Sequence, residues 1–194
     1  MTTDCIEKIK SWLKENLTEE KYCHSLGTAF ASREIAKILG YDEEKAYFAG
    51  LLHDCAKNLP FEEMQKLVLN SKIQLECGEL DNKKILHAPA GAILAKEIFQ
   101  VHDEEILSAI RWHTLGNLGM TILEKIIFLA DKIEPETRDR EEYLNRLKKL
   151  SLNKGLERNI LKCYEYTIKS LVDRELSICT KTVEIYNELL NFVK

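Results

Sequence analysis

Residues 121–135, TILEKIIFLADKIEP, carry both the start and the stop of a helix. Thr121 followed by Glu124 is a capping-box pattern, in which each side chain satisfies an orphan N–H of the other residue. Pro135 cannot continue the run, because it lacks the N–H and its ring clashes with the preceding turn. Asp131 closes the apolar stretch IIFLA, so its carboxylate is expected to be at least partly buried. A buried carboxylate requires a cation or a full set of hydrogen bonds, which makes Asp131 the most informative single residue of the chain.

The same punctuation recurs on both sides of this segment. Upstream, a helix over about Thr3–Asn16 is followed by one that Thr18 caps and Gly40 ends. Asp42 caps a third, EEKAYFAGLLHDCAK, which is expected to run to about Asn58 before Pro60 opens a short helix to Leu69. Residues 71–84 read as loop-rich. Pro89 is expected at the first position of the next helix, where its missing N–H costs nothing. Asp103 caps EEILSAIRWH, which ends in the glycine-containing loop TLGNLGM. Two or three helices follow Pro135, one of them around NILKCYEYTIKSLV. Strand-like alternation is nearly absent, so the fold class is all-α, a compact helical bundle. No repeat or linker divides the 194 residues, which are read as one domain: a core of about 18–140 and C-terminal helices over 141–194.

Composition narrows the function. The net charge is −4 and no basic surface stands out, so tracking along nucleic acid is disfavoured while a small phosphorylated substrate is not. No stretch is apolar enough to span a bilayer, and the start, MTTDCIEKIKSW, lacks the apolar core of a signal peptide. Six cysteines (5, 23, 55, 77, 163 and 179) show no CxxC pair, so reduced thiols and a cytoplasmic location are the simpler reading. Cys23 and Cys55 adjoin candidate metal ligands. A thiolate can ligate, but neighbouring helix positions face about 100° apart, so both are expected to point into the core.

Four of the five histidines and two aspartates fall on or beside different helices: His24, the pair His53–Asp54, His87, His113 and Asp131. Imidazoles and carboxylates together suit zinc, manganese or iron. Small residues adjoin them, with Gly27, Thr28 and Ala31 on the face of His24 and Gly50 and Ala46 on that of His53. A second His-Asp pair, His102–Asp103, serves as a contrast, because Asp103 reads as an N-cap and His102 as a loop residue. Taken singly, the others also have ordinary readings. His24 suits a helix surface, His87 a residue before a helix with its ring on a backbone carbonyl, and His113 a helix C-terminus favoured by the dipole. Lys57 suits a solvated helix end, and Arg138 is one charge of the run TRDREE. Their joint order, with small or apolar neighbours at nearly every position, argues for a site.

That order resembles the HD-domain phosphohydrolases. Within them, HSLGTA at 24–29, GLLHDCAK at 50–57, LHAPAGA at 86–92, IRWHTLG at 110–116 and EKIIFLADKIEPETR at 124–138 resemble the YqeK family. The likeness runs from about Lys21 to Arg138 and continues weakly to TVEIYNELL at 182–190. Trp112, Leu115 and Cys55 depart from the family's usual Tyr, Thr and aliphatic residue, and none of these is a ligand. The resemblance implies an HD-domain bundle that hydrolyses diadenosine tetraphosphate symmetrically to two ADP through a metal-activated hydroxide.

It also implies two divalent ions, iron first, while the ligands alone equally suit manganese, cobalt or zinc. Asp54 would bridge them, with His24, His53 and Asp131 serving one ion and His87 and His113 the other. Lys57, Thr114 and Arg138 are the expected substrate contacts, with Lys57 also assisting the leaving group. Trp112 and Tyr47 are candidates to stack a base. The alternatives are another HD nucleotide phosphohydrolase, acting on a mononucleotide or a guanosine alarmone, a di-iron HD oxygenase, and a binding domain with a decayed site. A homodimer through the C-terminal helices is a further option, although no clear heptad supports it.

Overall fold

The computed structural model describes residues 3–76 and 78–194. It contains α1 (Thr3–Asn16), α2 (Glu19–Leu39), α3 (Glu43–Leu52), α4 (Phe61–Leu69), α5 (Lys83–Glu97), α6 (Glu104–Trp112), α7 (Ile122–Ile133), α8 (Arg140–Leu150), α9 (Gly155–Asp173) and α10 (Thr180–Val193). No strand occurs among the described residues, so the architecture is all-α. No helix among them is long and apolar enough to cross a membrane. Cys77 lies outside the described residues; the other five cysteines are free thiols.

The caps follow the chemistry of their residues. Thr18, Asp42, Asp103 and Thr121 each accept a hydrogen bond from a backbone N–H of the first turn, and Thr121 and Glu124 complete the capping box. Gly40 ends α2 in the left-handed region, at φ 67°. Helix α7 is the hub. Leu123, Ile126, Ile127 and Leu129 are fully buried, and the helix packs on α2, α3, α6, α8 and α9. At Gly50 of α3, an added Cβ would stand 2.7 Å from Ser32 Oγ and 2.9 Å from the Ala29 backbone, so the α2–α3 approach depends on the missing side chain.

Two helix boundaries differ from the sequence-based expectation. The third helix ends at Leu52, not near Asn58. The His53 ring nitrogen Nδ1 lies 2.7 Å from the Gly50 carbonyl, the oxygen that the Asp54 N–H would need for another α-helical turn. The chain continues instead through three-residue turns, Lys57 N–H to Asp54 O at 2.9 Å and Leu59 N–H to Ala56 O at 3.0 Å. Helix α5 starts at Lys83, with Pro89 inside it rather than at its first position. Asn82 supplies the cap, accepting from Lys84 N–H at 3.0 Å. Burial of Leu86, His87, Ala88, Ala90 and Gly91 holds α5 in place against a proline penalty of about 3 kcal/mol.

The segment between α4 and α5 carries no regular helix over its described residues, and a buried ion pair pins it. Arg111 reaches Glu79 in two parallel bonds, Nη1 to Oε1 at 2.8 Å and Nη2 to Oε2 at 2.6 Å. Glu79 is 0% exposed and Arg111 5%. Glu79→Ala is therefore expected to cost about 3–5 kcal/mol in urea denaturation, because it strands the guanidinium. Replacing both partners together, Glu79→Leu with Arg111→Met, is expected to cost less than the single change.

Candidate metal centre

Five elements deliver six side chains to one point. His24 comes from the start of α2, His53 and Asp54 from the end of α3, His87 from α5, His113 from the end of α6 and Asp131 from α7. Asp54 is at the centre, with its carboxylate divided between two pairs of rings. Its Oδ1 lies 3.0 Å from His87 Nε2 and 3.3 Å from His113 Nε2. Its Oδ2 lies 3.5 Å from His53 Nε2 and 3.7 Å from His24 Nε2. Asp131 Oδ1 joins the second group, 3.0 Å from His24 Nε2 and 3.5 Å from His53 Nε2.

His53 and His113 are mounted in the same way. Each is the first residue beyond its helix, and each Nδ1 lies 2.7 Å from the carbonyl three residues back, Gly50 or Ile110. A carbonyl only accepts, so both Nδ1 atoms carry the proton and both Nε2 atoms present a lone pair. The two remaining rings complete the convergence: His24 Nε2 is 3.3 Å from His53 Nε2, and His87 Nε2 is 3.1 Å from His113 Nε2. The neutral His53 and His113 rings thus turn lone pairs toward the buried Asp54 carboxylate, an arrangement that favours a cation between them. Two triads, His24–His53–Asp131 and His53–Asp54–His113, have ligand atoms within 4.8 Å of one another. The donor set suits a divalent metal.

The electrostatics divide the rings. Burial drives the His113 imidazole down to about 3, which keeps it neutral and available as a ligand. Burial works against ionisation of Asp54, but the surrounding imidazoles hold its carboxyl well below the usual range. Burial works against ionisation of Asp131 as well, but Lys132 and the neighbouring His24 and His53 rings hold its carboxyl well below the usual range. For His24, burial is outweighed by the Asp131 and Glu134 carboxylates, and the ring rises to about 9.

A cavity of about 520 Å³ opens over this cluster. Lys57, Thr114 and Arg138 line it, together with Lys21, Lys84 and Lys132, which the sequence reading did not single out. Lys57 Nζ pairs with Asp54, 2.9 Å from Oδ2. Thr114 Oγ1 is buried and lacks a hydrogen-bond partner in the protein. Arg138 Nε donates to the Asp131 carbonyl at 3.1 Å. A larger groove of about 950 Å³ between α8, α9 and α10 holds none of the six ligand candidates.

Several expectations change. Tyr47 is a core residue, 3% exposed, packed edge-on to Phe30 with Arg33 over its face. Trp112 lies under the Arg111 guanidinium, 4.0 Å from its centroid. Neither lines the cavity. Cys55 is buried as expected, but Cys23 is exposed, because it is on the outer side of α2. His102 is exposed beside the Asp103 cap. Glu134 was read only as the end of a helix, yet it is fully buried, with Oε1 2.9 Å from His24 Nδ1. Its position between an apolar helix and Pro135 was the available signal.

The HD domain family matches residues 22–136. The chain belongs to the HD domain family. It is 36% identical over 187 residues to the symmetrical bis(5′-nucleosyl)-tetraphosphatase of Bacillus subtilis, covering 95% of this chain and 97% of that one. The protein of the same name from Staphylococcus aureus is 32% identical, covering 94% and 93% of the two chains. A crystal structure titled as a predicted HD superfamily hydrolase involved in NAD metabolism, from Clostridium acetobutylicum, superposes with a TM-score of 0.87. It shares 38% identity and covers 96% of this chain and 97% of that chain.

An ion that binds only the folded cluster would stabilise the fold. At a hundredfold excess over the dissociation constant, a bound divalent ion is expected to raise Tm by roughly 5–10 °C over chelator-treated protein. Differential scanning calorimetry before and after metal addition checks this, and Asp54→Ala is expected to remove most of the difference.

Proposed function

We propose that this HD domain protein hydrolyses diadenosine tetraphosphate symmetrically to two ADP. The observation that carries the proposal is the division of Asp54, one carboxylate oxygen toward His87 and His113 and the other toward His24 and His53, beneath a cation-lined cavity. The names of the relatives in Bacillus subtilis and Staphylococcus aureus point to a bis(5′-nucleosyl) tetraphosphate cut symmetrically, and that of a Mycoplasma pneumoniae relative, a probable nicotinate-nucleotide adenylyltransferase/Ap4A hydrolase, points to adenosine.

In this reading His24, His53, Asp54, His87, His113 and Asp131 hold two divalent ions, iron first, with manganese, cobalt and zinc also compatible. Such ions, when bound, polarise phosphate oxygens and lower the pKa of water toward neutrality. The chain's own residues then handle charge and orientation. Lys21, Lys57, Lys84, Lys132 and Arg138 surround the cavity and offset the tetraphosphate's negative charge in a protein whose net charge is −4. Thr114 Oγ1, otherwise unpaired, donates to a phosphate oxygen. Arg138 presents a planar fork that matches two phosphate oxygens. Lys57, already beside Asp54, neutralises charge that develops on the departing nucleoside diphosphate. Symmetrical cleavage requires rupture of the central anhydride, so that each half retains two phosphates.

Residues 1–194 are read as one domain in this proposal, since the C-terminal helices hold the loop that bears Thr114. Tyr164 Oη of α9 donates to Leu115 O at 2.6 Å, and Glu188 of α10 accepts from Gly119 N–H at 3.1 Å.

Incubation of metal-loaded protein with diadenosine tetraphosphate, with ion-exchange separation of products, tests the reading. ADP as sole product is expected, with turnover abolished in Asp54→Ala. AMP plus ATP would retain a hydrolase and reject symmetrical cleavage. Arg138→Ala and Thr114→Val are each expected to raise KM about 10–100-fold, the range of a hydrogen bond with a charged partner.

A further inference from the structure

We infer that Glu134 is a positioning residue, which sets the proton of His24 and anchors the turn that carries Arg138. The inference rests on the metal-centre reading above. Glu134 is 0% exposed, and its carboxylate accepts from two directions. On one side Oε1 lies 2.9 Å from His24 Nδ1. On the other, the turn that follows α7 closes over it: Glu136 N–H and Thr137 N–H donate to Oε2 at 2.7 and 3.2 Å, and the Thr137 hydroxyl donates to Oε1.

His24 needs such a partner for a geometric reason. His53 and His113 stand at helix ends, where a carbonyl three residues back is free to take the Nδ1 proton. His24 lies inside α2, where backbone carbonyls are already engaged in the helical ladder. A side chain must therefore supply the acceptor, and a carboxylate is the strongest one available. With Nδ1 committed to Glu134, Nε2 is the nitrogen that faces Asp131 Oδ1 at 3.0 Å and Asp54 Oδ2 at 3.7 Å. An acceptor on the far ring nitrogen fixes the tautomer of a ligating histidine and raises its basicity.

The path to this contact is built into both elements. Pro135 ends α7, and Glu134 adopts ψ 142°, which turns the chain back over α2. Gly27, three residues beyond His24, leaves the room. A Cβ there would overlap Glu134 Oε2 and stand 2.9 Å from Glu136 Cβ. One carboxylate thus connects a metal ligand to the segment whose guanidinium lines the substrate cavity.

The test uses the full chain with zinc alone as probe. Wild type, Glu134→Gln and Glu134→Ala are compared for zinc retention against a competing chelator and for the His24 tautomer in long-range ¹H–¹⁵N spectra, with circular dichroism to establish folding. Zinc-loaded wild type is expected to show His24 protonated at Nδ1. Glu134→Ala is expected to mix the tautomers and weaken zinc binding about 10–100-fold. Glu134→Gln, with a weaker acceptor, is expected to fall between the two in both Nδ1 proton shift and affinity. Folded variants that match wild type in tautomer and affinity would overturn the inference alone. Should Glu134→Ala fail to fold, Glu134→Gln decides: an intermediate shift and affinity support it, and wild-type values overturn it. A wild type that takes up no zinc at these residues would overturn the metal reading, and this inference with it.

Discussion

The Asp54 carboxylate is buried among four imidazole Nε2 atoms with a second carboxylate close by, an arrangement that gathers negative charge in a buried space and favours cations there. Much of the local structure exists to hold that arrangement. Two helices stop where a histidine ring takes the carbonyl needed for the next turn, so that helix termination and ligand orientation become a single event at His53 and at His113. Close approach of α2 and α3 at Gly50 brings His24 to the same point. The apolar packing of α7 carries Asp131 there against the desolvation cost of a charge.

Around this centre, charge is distributed by distance rather than by composition. The chain is acidic overall, yet five cationic side chains surround one cavity. Formal net charge therefore says little about the ligand that such a surface accepts, because within about 10 Å at moderate salt the local charges dominate. The C-terminal helices take part as well. Phe128 of α7 stacks on Tyr164 of α9 at 5.1 Å, and the Tyr164 hydroxyl then fixes the Leu115 carbonyl, one residue from Thr114.

Helix identity and most boundaries were legible in the sequence because their signals are local. Thr18, Asp42, Asp103 and the Thr121–Glu124 pair cap as their side-chain chemistry dictates. The two misplaced boundaries have nonlocal causes. Pro89 favours a first helical position in isolation, but Asn82 upstream and burial of the surrounding turn outweigh that preference. The early stop of α3 follows from a ring nitrogen competing for a backbone carbonyl, and helical periodicity carries no mark of it. Exposure of Cys23 and burial of Tyr47 likewise depend on which face of each helix meets a neighbour.

By itself, the sequence determined an all-helical chain and singled out six histidines and aspartates that the fold brings together, since residue types, their order and small neighbours are properties of the residues themselves. Only the tertiary structure decided how Asp54 divides its two oxygens, that Glu134 stands behind His24, and that Lys21, Lys84 and Lys132 join the cavity. These are relations between groups as many as 110 residues apart. Such distances are set by how helices pack, and no local pattern along the chain encodes them.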